Sequence, residues 1–214
     1  MATTATDTRW TDTQRLEGWA GEVRVNVIRL AAIVAFYGHH LINAFLLSDD
    51  PRIRGRYHAA VTAAVLAWGA LVLLLHACLS RRWVPPGLKY FATTVDLVLI
   101  TSMLALTGDG PKSPLVVLYF LVIAAAPLRL SMGLAYMATL GAIAGYLFLL
   151  GHYAYWLVGY ENYYADAALR IPRTHQVVMV LALGVAGIVS GQVVRQARRV
   201  AEGYPVRVDE PPGG

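Results

Sequence analysis

Cysteine and charged residues are both scarce in this chain. Only one of its 214 residues is a cysteine, Cys78, so no disulfide bond can form within the chain. Charged residues make up 14% of the sequence, against about 25% in a typical soluble domain. By contrast, 57% of the residues are hydrophobic and the mean hydropathy is +0.52. This balance argues against a soluble globular domain and predicts one membrane-embedded unit.

The motifs of several enzyme classes are also missing. The sequence has no His-Glu-x-x-His zinc motif, no phosphate-binding loop and no dinucleotide fingerprint. An intramembrane aspartyl mechanism needs two aspartates, and Asp96 alone lies inside an apolar run. The segment Gly187-Ile-Val-Ser-Gly191 is one residue longer than the Gly-x-Ser-Gly of serine proteases. We therefore expect a protein without enzymatic activity.

Long apolar runs fill most of the chain and predict an all-α, polytopic membrane bundle. A helix needs about 20 apolar residues to cross the hydrocarbon core. Six such helices are expected at about residues 25–47, 57–79, 88–107, 114–130, 131–157 and 175–194. The fourth run is short, so a re-entrant segment is the alternative there. In this scheme residues 1–24 are a cytoplasmic or interfacial segment, 25–194 form the transmembrane domain, and 195–214 are a basic junction with a short disordered tail.

The basic residues give the bundle an orientation. With six crossings and the N-terminus inside, twelve of the 18 lysines and arginines lie at cytoplasmic segments and six at outer loops. Cytoplasmic loops of membrane proteins are enriched in Lys and Arg. We therefore expect both termini in the cytoplasm. The net charge of +5 is a topology signal here and does not indicate nucleic-acid binding.

A stripe of polar residues runs along the first apolar helix. At 100° per residue, these side chains project to one face. They are Glu22, Asn26, Arg29, Tyr37 and His40, with Asn43 at the edge of the face. The stripe indicates either hydrogen bonds between helices or a path for a ligand, proton or signal. Because an unpaired charge is costly in a membrane, we expect Asp96 to form an ion pair with Arg29. Lys89 and Arg129 are the alternative partners for Asp96.

Five of the six histidines are expected at the outer surface, although they are far apart in sequence. They are His39, His40, His58, His152 and His175, whereas His76 falls on the inner side. Histidine suits the membrane interface, which is one interpretation. A metal site, a haem with two histidine ligands, or a proton-sensing cluster are the others. His39 and His40 are adjacent in the chain and therefore cannot share one helical face.

Two pairs of glycines have the GxxxG spacing that lets helix backbones approach closely. Gly141 and Gly145 lie in the fifth apolar run, and Gly187 and Gly191 lie in the sixth. We expect these glycines to pack helices together, either within the chain or between copies.

Three stretches resemble the N-terminal, multi-span membrane regions of bacterial sensor histidine kinases and related signalling proteins. The stretches are 23–30 (VRVNVIRL, followed by Tyr37 and His40), 109–121 (DGPKSPLVVLYFL) and 194–199 (VRQARR). The resemblance implies a sensor-like signal-input domain that crosses the bacterial inner membrane several times. These 214 residues include no recognisable kinase, cyclase or other output domain, so we expect the region to act through a cytoplasmic partner or a homo-oligomer. The alternatives are an accessory subunit of a membrane complex, binding haem, metal or quinone, and a small transporter or channel.

Overall fold

The protein is described by a computed structural model that covers residues 3–47, 55–81, 85, 87–106 and 110–203. This part of the chain contains helices and no strand. The helices are α1 (Thr3–Ile42), α2 (Arg56–Ser80), α3 (Leu88–Leu106), α4 (Val117–Ala125), α5 (Met132–His152), α6 (Tyr160–Ala165) and α7 (Arg173–Gly203). A π-helical turn extends α1 over Asn43–Leu47, and another extends α5 over Tyr153–Leu157. Short 3-10 turns lie at Gly110–Lys112, Pro114–Val116 and Ala126–Arg129.

Five helical segments in the described part of the chain are long and apolar enough to cross a membrane. They are Trp19–Leu46, His58–Ser80, Leu88–Leu106, Met132–Leu157 and Arg173–Val200. The fourth predicted span corresponds to the shorter apolar segment Pro114–Arg129. Large apolar side chains lie exposed on the outside of the bundle, with Leu46 at 78% and Trp156 at 85% exposure. The length of these helices and their apolar exterior define a membrane protein with several transmembrane helices.

Two boundaries of the predicted transmembrane domain do not coincide with helix ends. Helix α1 runs without interruption from Thr3, and its apolar segment starts at Trp19 rather than at residue 25. Helix α7 continues through the basic junction to Gly203. The sequence has no proline between residues 1 and 50 or between 173 and 203, so nothing breaks either helix. The predicted disordered tail beyond residue 203 lies outside the described residues.

Contacts between distant parts of the chain define the two ends of the bundle. At one end, Arg198 Nη2 of α7 donates to the carbonyl oxygen of Leu130 at 2.8 Å. At the other end, Lys112 Nζ donates to the carbonyl oxygen of Ala168 at 3.0 Å. We call these the Leu130 end and the Lys112 end. Helices α3 and α5 run in the same direction, since Gly133 faces Tyr90 and Gly145 faces Thr101.

The segment around α4 extends from the Lys112 end to the Leu130 end. Ser113 caps its first turn by accepting a hydrogen bond from the amide of Leu115, and Pro114 occupies the first position of the turn. The segment stops at Leu130, whose positive φ of 49° turns the chain into α5. Ala126–Arg129 has the tighter 3-10 geometry, which rises about 2.0 Å per residue rather than 1.5 Å. Sixteen residues therefore reach farther than in a regular α-helix.

Both GxxxG pairs pack helices together inside the chain. A Cβ atom at Gly141 would lie 2.5 Å from Cδ1 of Leu97, so α3 and α5 are in close contact there. The remaining contacts of these glycines pair Gly145 with Thr101 and Tyr119, Gly187 with Thr139, and Gly191 with Met132. The glycines thus serve contacts of α5 with α3, α4 and α7. The core that these helices enclose includes the fully buried Tyr119 and Tyr146.

Candidate functional site

Arg29 and Asp96, which the sequence analysis pairs, form a buried ion pair between α1 and α3. Arg29 Nε lies 2.8 Å from both carboxylate oxygens of Asp96, and Nη2 donates to Oδ2 at 2.5 Å. The two side chains are 4% and 7% exposed. Trp68 Nε1 of α2 also donates to Asp96 Oδ1, at 2.9 Å. One carboxylate therefore connects three helices, and charge-assisted hydrogen bonds of this kind are the strong ones.

A second buried ion pair lies near the first one and is absent from the sequence-based predictions. Arg129 Nη2 lies 2.9 Å from Glu22 Oε2, and both side chains are at most 5% exposed. Arg129 Nη1 donates to Thr93 Oγ1 at 2.6 Å and to the carbonyl oxygen of Lys89 at 3.3 Å. This pair joins α1 and α3 to the corner between α4 and α5. Together, the two pairs balance two positive charges with two negative ones.

The alternative partners considered for Asp96 have other contacts. Arg129 binds Glu22, and Lys89 Nζ donates to Ser131 Oγ at 3.2 Å. Two features of the sequence hint at the second pair. Glu22 belongs to the polar stripe of α1, and Arg129 is the one charged residue in the fourth apolar run, close to the start of the fifth.

Close backbone contact makes the second ion pair possible. A Cβ atom at Gly21 would lie 2.5 Å from the carbonyl oxygen of Leu128 and 3.3 Å from Arg129 Cα. Glycine lets α1 lie directly against the turn Ala126–Arg129. Glu22 follows Gly21 in the chain and Arg129 follows Leu128, so this backbone contact brings Glu22 and Arg129 next to each other.

The remaining described residues of the polar stripe also face α2. Asn26 Nδ2 donates to the carbonyl oxygen of Val72 at 3.2 Å. Tyr37 Oη and Thr62 Oγ1 share a hydrogen bond of 3.1 Å. The stripe therefore makes hydrogen bonds between helices along most of the apolar part of α1. The side chain of Asn43 lies outside the described residues.

One pair of histidines meets at the opposite end of α1. His40 Nε2 and His58 Nδ1 are 3.1 Å apart, and the nearly parallel rings have centroids 5.3 Å apart. A hydrogen bond between two ring nitrogens needs one donor and one acceptor, so at least one of the nitrogens carries no proton. Protonation of both rings would place two positive charges in contact. This pair is therefore a contact between α1 and α2 that protonation can break.

The other histidines predicted at the outer surface do not join this pair into a larger cluster. His152 stacks on Phe148 and Trp156 of its own segment, and His39 and His175 are exposed. Within the described ranges, no group of three or more His, Cys, Asp or Glu side chains could hold a metal ion. The common location predicted for the five histidines therefore does not produce a metal cluster among these residues.

The fold and the site define a class of protein: an all-helical membrane protein in which two buried ion pairs connect the helices. Comparisons with known proteins do not narrow this class, because no family model, curated protein or solved structure matches the chain. The functional argument therefore depends on the ion pairs, the histidine pair and the helices that connect them.

Proposed function

We propose that the chain crosses the inner membrane six times, with both termini in the cytoplasm. The extent of the α4 segment supports this topology, since its two ends contact opposite ends of the bundle. Lys112 precedes it at the end where Ala168 lies, and Leu130 follows it where Arg198 lies. The excess of basic residues then assigns the Leu130 end to the cytoplasm. The ion pairs lie in the inner half of the membrane and the histidine pair in the outer half.

Within this topology, the protein acts as a signal-input module without enzymatic activity of its own. The observation that carries the proposal is the position of both polar sites on the single helix α1. His40 contacts α2 near the outer surface, while Glu22 and Arg29 contact α3 and the turn before Leu130 near the inner surface. A displacement of α1 at its outer end would therefore act directly on the inner ion pairs.

The inner contacts continue to the exit of the chain into the cytoplasm. Helix α7 packs on the α4 segment through Ser190, whose hydroxyl donates to the carbonyl oxygen of Ile123 at 3.1 Å. It also packs on Leu130 through Arg198, beside the turn that Glu22 holds. Helix α7 extends beyond this contact to Gly203, and its end carries the basic residues Arg195, Arg198 and Arg199. We propose that it transmits the displacement to a cytoplasmic protein partner or to a second copy of the chain.

A distance measurement between spin labels tests this coupling. Labels are attached to Phe91→Cys on α3 and Val200→Cys on α7, in a Cys78→Ala background; Phe91 and Val200 are both exposed. His58→Lys places a permanent charge beside His40 and should shift the mean distance between the labels by about 2 Å, the scale of helix shifts in switching proteins. His58→Gln adds no charge and should retain the wild-type distance.

His76→Lys is the matched control, because His76 is exposed on the same helix and lies toward its opposite end. It should leave the distance between the labels unchanged. The proposal is wrong if His58→Lys and His58→Gln give the same distances as the wild type while the protein remains folded. It is also wrong if the control produces the same shift as His58→Lys.

A further inference from the structure

A small cavity lies between the two buried ion pairs and has a volume of about 30 Å³. Its polar wall contains Arg29, Asp96, Arg129, Thr93 and Trp68. The rest of its wall is apolar and comes from α1, α3 and the α4 segment. A cavity needs roughly 10–15 Å³ of this kind of space to hold one water molecule. The space is therefore large enough for a water and too small for a cofactor or an organic ligand.

Both arginines that line the cavity have an unused hydrogen-bond donor. Arg29 Nη1 and Arg129 Nε are buried and have no hydrogen-bond partner in the structure. The residues are 4% and 7% exposed, so bulk water does not satisfy these atoms. A buried donor without an acceptor destabilises the folded protein, and more so when it is charged. One acceptor placed in the cavity would satisfy a donor on each side.

The charge balance of the site decides the chemistry of that acceptor. Arg29 and Arg129 are already neutralised by Asp96 and Glu22. An anion in the cavity would add an uncompensated charge in a buried position, which is costly. A water adds no charge and can accept two hydrogen bonds, one from each arginine.

We propose that this cavity is a water-binding site, in which one ordered water accepts hydrogen bonds from Arg29 and Arg129. The water joins the two ion pairs into one network that connects α1, α3 and the corner after α4. This site is independent of the proposed signalling function, since it follows from the cavity and its donors alone.

A crystal structure of the full chain, from crystals grown in sodium bromide, tests the occupant directly. The expected result is one water peak about 2.7–3.2 Å from both arginine nitrogens, without an anomalous signal. An anomalous bromide peak in the cavity would show an anion site and overturn the proposal. An empty cavity would overturn it too.

Isosteric substitutions at Ala125, which lines the cavity, test the same point in solution. Ala125→Thr and Ala125→Val displace the water equally, but only the threonine hydroxyl can replace its hydrogen bonds. Ala125→Thr should therefore have an unfolding equilibrium constant about tenfold lower than that of Ala125→Val. The neighbouring Ala124 is exposed, and the same two substitutions there should show no preference for Thr. A dry cavity would favour Val at position 125, and that order contradicts the proposal.

Discussion

Replacing Asp96 by asparagine should strongly destabilise the protein, because it leaves the Arg29 guanidinium buried without a counter-ion. Asparagine has nearly the same shape, and its oxygen can still accept the hydrogen bond of Trp68 Nε1. The loss therefore comes mainly from the unpaired charge. Removing one member of a buried ion pair costs about 3–5 kcal/mol. The lower value corresponds to a rise of roughly 150-fold in the unfolding equilibrium constant.

The assay is reversible unfolding of the purified protein in mixed micelles, followed by circular dichroism. Asp166→Asn is the matched control: Asp166 is exposed, and its carboxylate accepts one hydrogen bond, from the amide of Ala168 at 2.8 Å. This control should change the free energy of unfolding by less than about 1 kcal/mol. An equal effect of the two substitutions would refute the reasoning.

The double variant Arg29→Gln/Asp96→Asn separates charge pairing from packing. Removing both charges leaves no isolated ion, so most of the stability lost in Asp96→Asn should return. A double variant that is less stable than Asp96→Asn would show that shape or hydrogen bonding, rather than charge, dominates at this site.

Two further substitutions test the second ion pair and the glycine contacts. Glu22→Gln should lower the free energy of unfolding by about 3 kcal/mol because it isolates the buried Arg129, and the same unfolding titration measures this loss; a change below 1 kcal/mol contradicts the buried pair. Gly187→Ala should destabilise the protein by about 1–3 kcal/mol, because its methyl group would collide with Thr139, whereas Gly184→Ala meets no atom within 4 Å and should be neutral or stabilising. Equal unfolding midpoints for the two alanine variants would contradict the close contact.

The helical periodicity of the sequence and the expected depth of each residue in the membrane were sufficient to predict the pairing of Arg29 with Asp96. Both residues lie within regular apolar helices, where sequence position determines depth and the 100° spacing determines the face. The cost of a buried charge then leaves few acceptable partners. The structure confirms this prediction: Arg29 Nη2 lies 2.5 Å from Asp96 Oδ2.

The pairing of Glu22 with Arg129 depends on features that periodicity does not encode. Arg129 lies in a 3-10 turn, where the α-helical spacing no longer gives the direction of a side chain. Glu22 reaches it because α1 contacts that turn at Gly21. The predicted start of the first span at residue 25 leaves Glu22 outside the membrane, where a charged residue needs no buried partner.

The sequence also does not predict which of the histidines contact each other. Topology predicts which end of the bundle each histidine approaches, but it does not predict which helices are neighbours. Because α1 packs against α2, His40 meets His58. His152 lies on a different helix and stacks on its own neighbours instead. Residues at a common depth can therefore remain far apart around the bundle.

The six-crossing topology is the claim on which the functional account depends, and cysteine labelling tests it most directly. Single cysteines are introduced at the exposed positions Gly87, Lys112, Asp166 and Arg199 in a Cys78→Ala background, and intact cells are treated with a membrane-impermeant maleimide. The account predicts labelling at Lys112 and Asp166, and protection at Gly87 and Arg199 until the membrane is permeabilised. If the α4 segment does not cross, Asp166 will be protected and Arg199 labelled in intact cells, which would contradict the account.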